Sequence, residues 1–160
     1  KALTRLNQMF QRHEDHKTYW AITPPSVPCG SVAGSSVEGQ GGRLVHYLTR
    51  NERLNKSFAH NREVPDSKKA VLDYRVISHA DRYDLLEVNL HTGRHHQIRC
   101  QLAAIGRTIR GDLKYGAPRS MPDGSICLHA RRVTFEHPVS HVTIDVTAPA
   151  PPAFSIFGIT

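Results

Sequence analysis

Between Tyr83 and Gly106 the hydrophobic period of the chain changes, and that change limits the folds open to it. Leu86, Val88 and Leu90 alternate with polar residues, as a strand with one buried face requires. Thr92-Gly93 then interrupts the pattern as a turn. Ile98, Leu102 and Ile105 follow at i, i+4, i+7, which is one apolar stripe of a helix. A strand therefore delivers the chain through a turn into a helix, and strand ends are a usual place for functional loops. The Thr92 hydroxyl is expected to cap the helix by accepting a bond from an unpaired N–H of its first turn. Gly106 is expected to close it, where a residue tolerant of positive φ is needed. Arg99 and His96 lie one turn apart and off the stripe, so both can point into one cleft. Arg107, Arg110 and Lys114 come next, interleaved with Gly111, Tyr115 and Gly116 and opposed only by Asp112.

The remaining elements follow from the same periods. Residues 1–13 read as a helix, with Leu3, Leu6, Phe10 and His13 at helical spacing. Residues 17–23 read as a strand rich in aromatic and β-branched residues, ended by Pro24-Pro25. Residues 24–43 hold most of the local Gly, Ser and Pro and read as a mobile loop or hairpin. Residues 44–48 are a short strand. Residues 49–67 are polar and basic, and read as a solvated loop able to contact a polyanion. Residues 69–79 and 83–91 form a hairpin turned by Ala80-Asp81-Arg82, although 71–77 do not alternate cleanly. After the loop 117–125, strands 126–136 and 142–148 make a second hairpin, turned at His137-Pro138. The Pro-rich tail from Pro149 is expected to wrap the surface.

Charge is what points to a partner. The net charge is +7 and the pI near 9.7, and the cations gather around the glycines after the helix. Such clustering suits a polyanion, because arginine binds phosphate bidentately and glycine lets backbone come close. On charge alone, a solvated basic helix and loop is the commoner outcome. Cys29, Cys100 and Cys127 are few, odd in number and widely spaced, so no disulfide framework is expected and a reducing compartment fits. No run approaches the 18 apolar residues of a membrane span, and neither a membrane helix nor a signal peptide is expected. One domain spanning 1–160 is expected.

The residue order narrows this further. GRHHQIR (93–99), followed at close range by GDLKYG (111–116), resembles the signature of the RluA family of pseudouridine synthases, roughly G-R-T-H-Q-I-R, a helix, then G-D-x-x-Y-G. His95 stands where that pattern usually has Thr, and Arg107-Thr108 where His-Pro is common. Helix-then-K-x-Y-x-A around Tyr19, LHARRVTFEHP (128–138) and TAPAPPAF (147–154) resemble the family in the same order, so the likeness covers most of the chain. It implies an α/β (α+β) fold, a twisted, largely antiparallel sheet with flanking helices. It implies isomerisation of uridine to pseudouridine in ribosomal or transfer RNA, with no cofactor, in the cytoplasm, by a monomer. Tyr19 would lie on the target base and take part in proton transfer at C5. Arg99 would pair with the catalytic aspartate, holding it ionised and oriented. Arg94, His96, Gln97, Arg107, Arg110 and Lys114 would contact RNA.

The family aspartate lies in an R-L-D motif, and no R-L-D occurs in these 160 residues. Asp112, in G-D-x-x-Y-G, reads as a residue that structures its loop. The expectation is therefore the C-terminal part of a synthase catalytic domain, inactive alone, with its nucleophile elsewhere. Two other classes compete. One is a non-catalytic RNA-binding paralogue. The other is a metal-stabilised basic domain, since His91, His95, His96 and Cys100 have ligand-like spacing, with Cys29 and Cys127 available to join; it lacks the C-x-x-C half of a zinc site.

Overall fold

The computed structural model describes residues 1–12, 14–25 and 40–159. Helix α1 (Ala2–Gln11) leads into strand β1 (His16–Thr23). Strands β2 (Gly41–Asn51), β3 (Lys56–His60), β4 (Lys68–Ala80) and β5 (Tyr83–Leu90) follow. Helix α2 (Gln97–Ala104) precedes β6 (Leu128–Glu136) and β7 (Thr143–Thr147). Two 3-10 turns, Leu113–Tyr115 and Pro152–Phe157, complete the elements among the described residues. The strands form one sheet in the order β3-β2-β4-β5-β1-β6-β7, with every pair antiparallel. This is the largely antiparallel α+β arrangement expected from the sequence. His13, Cys29 and most of the 24–43 stretch lie outside the described residues.

The β4–β5 hairpin is the spine. Ala80 pairs with Tyr83 across Asp81-Arg82, and the ladder runs to Leu72 opposite Leu90. Its register shifts between Val76 and Ser78. That irregularity accounts for Ile77, which packs against the core although it is out of phase with Leu72 and Val76. Leu72 and Val76 turn inward, with Leu86 and Val88 of β5 and Trp20, Ala21 and Ile22 of β1, while Ala70 packs in a separate cluster with Leu48 and Cys100. Ile98 and Leu102 of α2 join the same core with Ile109 and Cys127.

Two expectations fail. Residues 49–67 are not simply a loop: β2 runs on to Asn51, and β3 pairs with it from Tyr47 opposite His60 to Asn51 opposite Lys56. The strand gives no alternation signal because its most buried residue is Ser57, 2% exposed and tied by hydrogen bonds instead of apolar contact. The Pro-rich tail does not merely wrap the surface. The turn Pro152–Phe157 inserts Phe154 into the core, its ring 6.4 Å from Trp20 and 5.9 Å from His129. Among the described residues no helix is long and apolar enough to cross a membrane.

Candidate functional site

The turn between β5 and α2 is built by Gln97. Thr92 does not cap the helix. Its hydroxyl accepts from the Val71 N–H (2.9 Å) and donates to Gln97 Oε1 (2.8 Å). Gln97 Oε1 also accepts from the Arg94 N–H, and Gln97 Nε2 donates to the Val71 carbonyl. Helix α2 starts at Gln97, and its N-cap His96, four residues after Thr92, has a φ of 51° in the left-handed region. Histidine tolerates that region better than most residues, yet such a conformation costs about 1–3 kcal/mol and is kept where surrounding contacts fix it. The C-terminal end matches expectation. Gly106 has φ 78°, its N–H bonds Ala103 and the Arg107 N–H bonds Leu102, which closes the helix with two of its otherwise unpaired carbonyls.

Those contacts at His96 form a chain. Arg99 donates through Nε and Nη2 to the two oxygens of Asp112, 2.8 Å at each. Asp112 is 1% exposed and Arg99 half-buried. Arg99 Nη1 lies 3.1 Å from His96 Nε2, and His96 Nδ1 lies 2.9 Å from the Tyr115 hydroxyl. A guanidinium has no lone pair to offer, so Nε2 accepts and Nδ1 carries the proton toward Tyr115. The donor set thus fixes the tautomer. Burial, and then the Arg99 charge, pull the His96 pKa down to about 4, so the ring is neutral near pH 7. The Tyr115 hydroxyl also accepts from the Ser57 N–H (2.9 Å), tying the site to β3. Burial raises the Tyr115 pKa.

These groups open onto a recess of about 230 Å³ lined by Tyr19, Leu90, Arg94, His96, Ile98 and Arg99, with Gln97 and Leu128 at its wall. Tyr19 arrives from β1, where the register with β6 shifts between Thr18 and Tyr19. Tyr19 and Arg99, eighty positions apart in sequence, thus share one surface. Arg99 keeps one N–H on Nη1 and one on Nη2 without a partner among the described residues.

The other expected RNA contacts are dispersed. Arg107 is 2% exposed and its Nη1 donates to Asp84, 0% exposed, at 2.8 Å; phosphate cannot reach it, and the expectation for Arg107 is corrected. Gln97 is corrected too, because its amide is buried and spent on the turn. Arg110 stacks over the Tyr83 ring at 4.6 Å, away from the recess. Lys114 is exposed, and its Nζ donates to the carbonyls of Leu54 and Asn55. Arg94 is exposed and spends only Nε, on the Lys69 carbonyl. Among the described residues no group of three His, Cys, Asp or Glu is placed to hold a metal ion. The rings of His95 and His96 stack at 3.8 Å, and the Cys100 thiol donates to the Ser57 carbonyl. Hydrophobic period assigns neither Tyr115 nor Ser57 a role. The signal for Tyr115 was present, three residues after Asp112 in G-D-x-x-Y-G; Ser57 had none.

A sequence profile described as RNA pseudouridylate synthase matches residues 1–104. The chain belongs to the RNA pseudouridylate synthase family. Similar curated proteins include a ribosomal large subunit pseudouridine synthase D of Vibrio cholerae, 30% identical over 94% of this chain and 46% of that one. An uncharacterised RNA pseudouridine synthase of Chlorobaculum parvum is 28% identical over 94% of this chain and 48% of its own. These matches agree with the RluA-type likeness of the motifs. The chain spans about half the length of the curated relatives it matches. Human RNA Pseudouridylate Synthase Domain Containing 4 superposes with a TM-score of 0.67 at 22% identity, covering 96% of this chain and 64% of that one. Human RNA Pseudouridylate Synthase Domain Containing 1 gives 0.66 at 22%, covering 92% and 60%. The pseudouridylate synthase fold is thereby shared.

Proposed function

We propose that these residues form the base-binding side of an RNA uridine-to-pseudouridine isomerase. The observation that carries this reading is the convergence of Tyr19, Arg94, His96 and Arg99 on one recess. Tyr19 offers a ring on which a uracil taken out of its stack can lie, worth roughly 1–3 kcal/mol per base. Arg99, held by Asp112 and His96, offers two fixed N–H donors to an anionic group at the base. A catalytic aspartate supplied to this recess would meet an arginine already oriented, which holds a carboxylate ionised. Ribosomal RNA is the first substrate to test, since several similar proteins are named for the large ribosomal subunit.

The reaction needs that aspartate, and none of the 160 residues lies in an R-L-D context. The test measures tritium release from C5-tritiated uridine in ribosomal RNA. The 160 residues alone are expected to release none. The same residues joined to the family's R-L-D segment are expected to release it. Release by the 160 residues alone would refute the assignment of the nucleophile. RNA binding without release by the joined protein would favour a binding module instead.

A further inference from the structure

A second recess, about 260 Å³, shares Arg94 with the first. It lies between the β2–β3 hairpin, the start of β4 and the Gly93–His95 turn, and its wall includes Arg50, Ser57, Asp66, Lys68, Arg94 and His95. Three cations face it, and among the described residues neither Arg50 nor Lys68 has a hydrogen-bond or ion-pair partner for its side chain. Arg94 has committed only Nε, so both its terminal nitrogens are free to donate. Asp66 is the one carboxylate on the wall, and no cation is paired with it among the described residues.

The recess is also firmly built. The hairpin that carries Arg50 is held against the site loop at several points. Tyr115 Oη accepts from the Ser57 N–H at 2.9 Å, and His95 Nε2 lies 3.0 Å from Asn55 Oδ1. Lys114 Nζ donates to Leu54 and Asn55 carbonyls at 3.2 and 3.1 Å. Uncompensated cations on a fixed wall repel one another until an anion or counterions gather there. A phosphodiester matches the paired donors of Arg94 and the point charge of Lys68.

We propose that this second recess is a phosphate subsite for single-stranded RNA, taking a phosphodiester next to the nucleotide seated at Tyr19, with Arg94 reaching both. The proposal rests on the RNA reading above and adds Arg50 and Lys68 to it.

The experiment measures binding of a short oligouridylate across a salt series, with inorganic tripolyphosphate as a second probe. The double variant Arg50→Ala/Lys68→Ala should bind oligouridylate about tenfold more weakly at low salt. Its log–log salt slope should be shallower by about 0.7, for the one phosphate no longer neutralised. The charge-keeping pair Arg50→Lys/Lys68→Arg should keep the wild-type slope, which separates lost charge from lost folding. One neutral methylphosphonate linkage, moved along the oligouridylate, should weaken wild type at one position and leave the alanine variant indifferent there. An unchanged slope in the alanine variant overturns the subsite and leaves the RNA reading standing. Tripolyphosphate binding to wild type as tightly as oligouridylate sinks the RNA reading, and the subsite with it.

Discussion

Arg99 and Asp112, thirteen positions apart, are joined by two parallel hydrogen bonds of 2.8 Å from a half-buried guanidinium to a buried carboxylate. The fork is therefore oriented before any substrate arrives, and one N–H on Nη1 and one on Nη2 remain without a partner among the described residues.

Asp112→Asn keeps the shape and removes the charge, so it is expected to cost about 1–3 kcal/mol in urea unfolding, the range for hydrogen bonds to charged groups. Arg99→Ala leaves Asp112 buried without its partner and should cost more, about 3–5 kcal/mol. Arg99→Ala/Asp112→Ala should then cost less than the sum of the single alanine variants, as coupled neighbours do. Strict additivity in that cycle would show that the two residues do not depend on each other.

Arg107 and Arg94 should separate stability from binding. Arg107→Ala leaves Asp84 buried with one carboxylate oxygen unpaired and His79 Nδ1, 2.6 Å from the other, as its remaining partner, so it is expected to lose about 3 kcal/mol of stability, with RNA affinity per folded molecule unchanged. Arg94→Ala should do the reverse: stability within about 0.5 kcal/mol of wild type, and a salt slope shallower by about 0.7. A loss of RNA affinity in folded Arg107→Ala would return that residue to the binding surface.

His96 makes stability depend on pH. Its folded pKa, about 4, lies below the ordinary 6.5, so between those values the unfolded chain binds the proton and the folded one does not. Stability should therefore be full above about pH 6.5 and fall as pH drops toward 4. Burial lowers the His46 and His95 pKa values as well, so they contribute in the same direction. His96→Asn keeps a residue that accepts a left-handed φ and removes one titrating ring. Its urea midpoint should vary less steeply between pH 6.5 and 4, and an equally steep dependence would assign the effect to the other histidines.

What the sequence disclosed depended on period and on residue order. The β5-to-α2 passage was legible because Leu86–Val88–Leu90 and Ile98–Leu102–Ile105 each bury one face. The shared position of Tyr19 and Arg99 was suggested only by family likeness, since no period links residues eighty positions apart. The fate of the cations was not legible at all. Arg107 and Lys114 look alike in sequence, yet one is buried against Asp84 on β5 and the other clamps the β2–β3 hairpin. That distinction depends on partners distant in the chain. β3 was missed because Ser57 is buried through hydrogen bonds, and hydrophobic periodicity cannot register that.

Tyr19 gives the most direct test of the recess. It is half-buried, so truncation to alanine removes packing as well as a surface for the base. Tyr19→Leu keeps apolar volume in β1 and lacks the ring, which isolates stacking. Tyr19→Phe keeps the ring and lacks the hydroxyl. If uracil lies on the ring, Tyr19→Phe should bind oligouridylate within about twofold of wild type, while Tyr19→Leu should lose about 5- to 150-fold, the equivalent of 1–3 kcal/mol. If the hydroxyl also moves the C5 proton, as the family likeness implies, Tyr19→Phe in the aspartate-bearing protein should release tritium slowly while binding normally. Equal binding by Phe and Leu variants would mean that the base does not rest on Tyr19, and the recess would need another occupant.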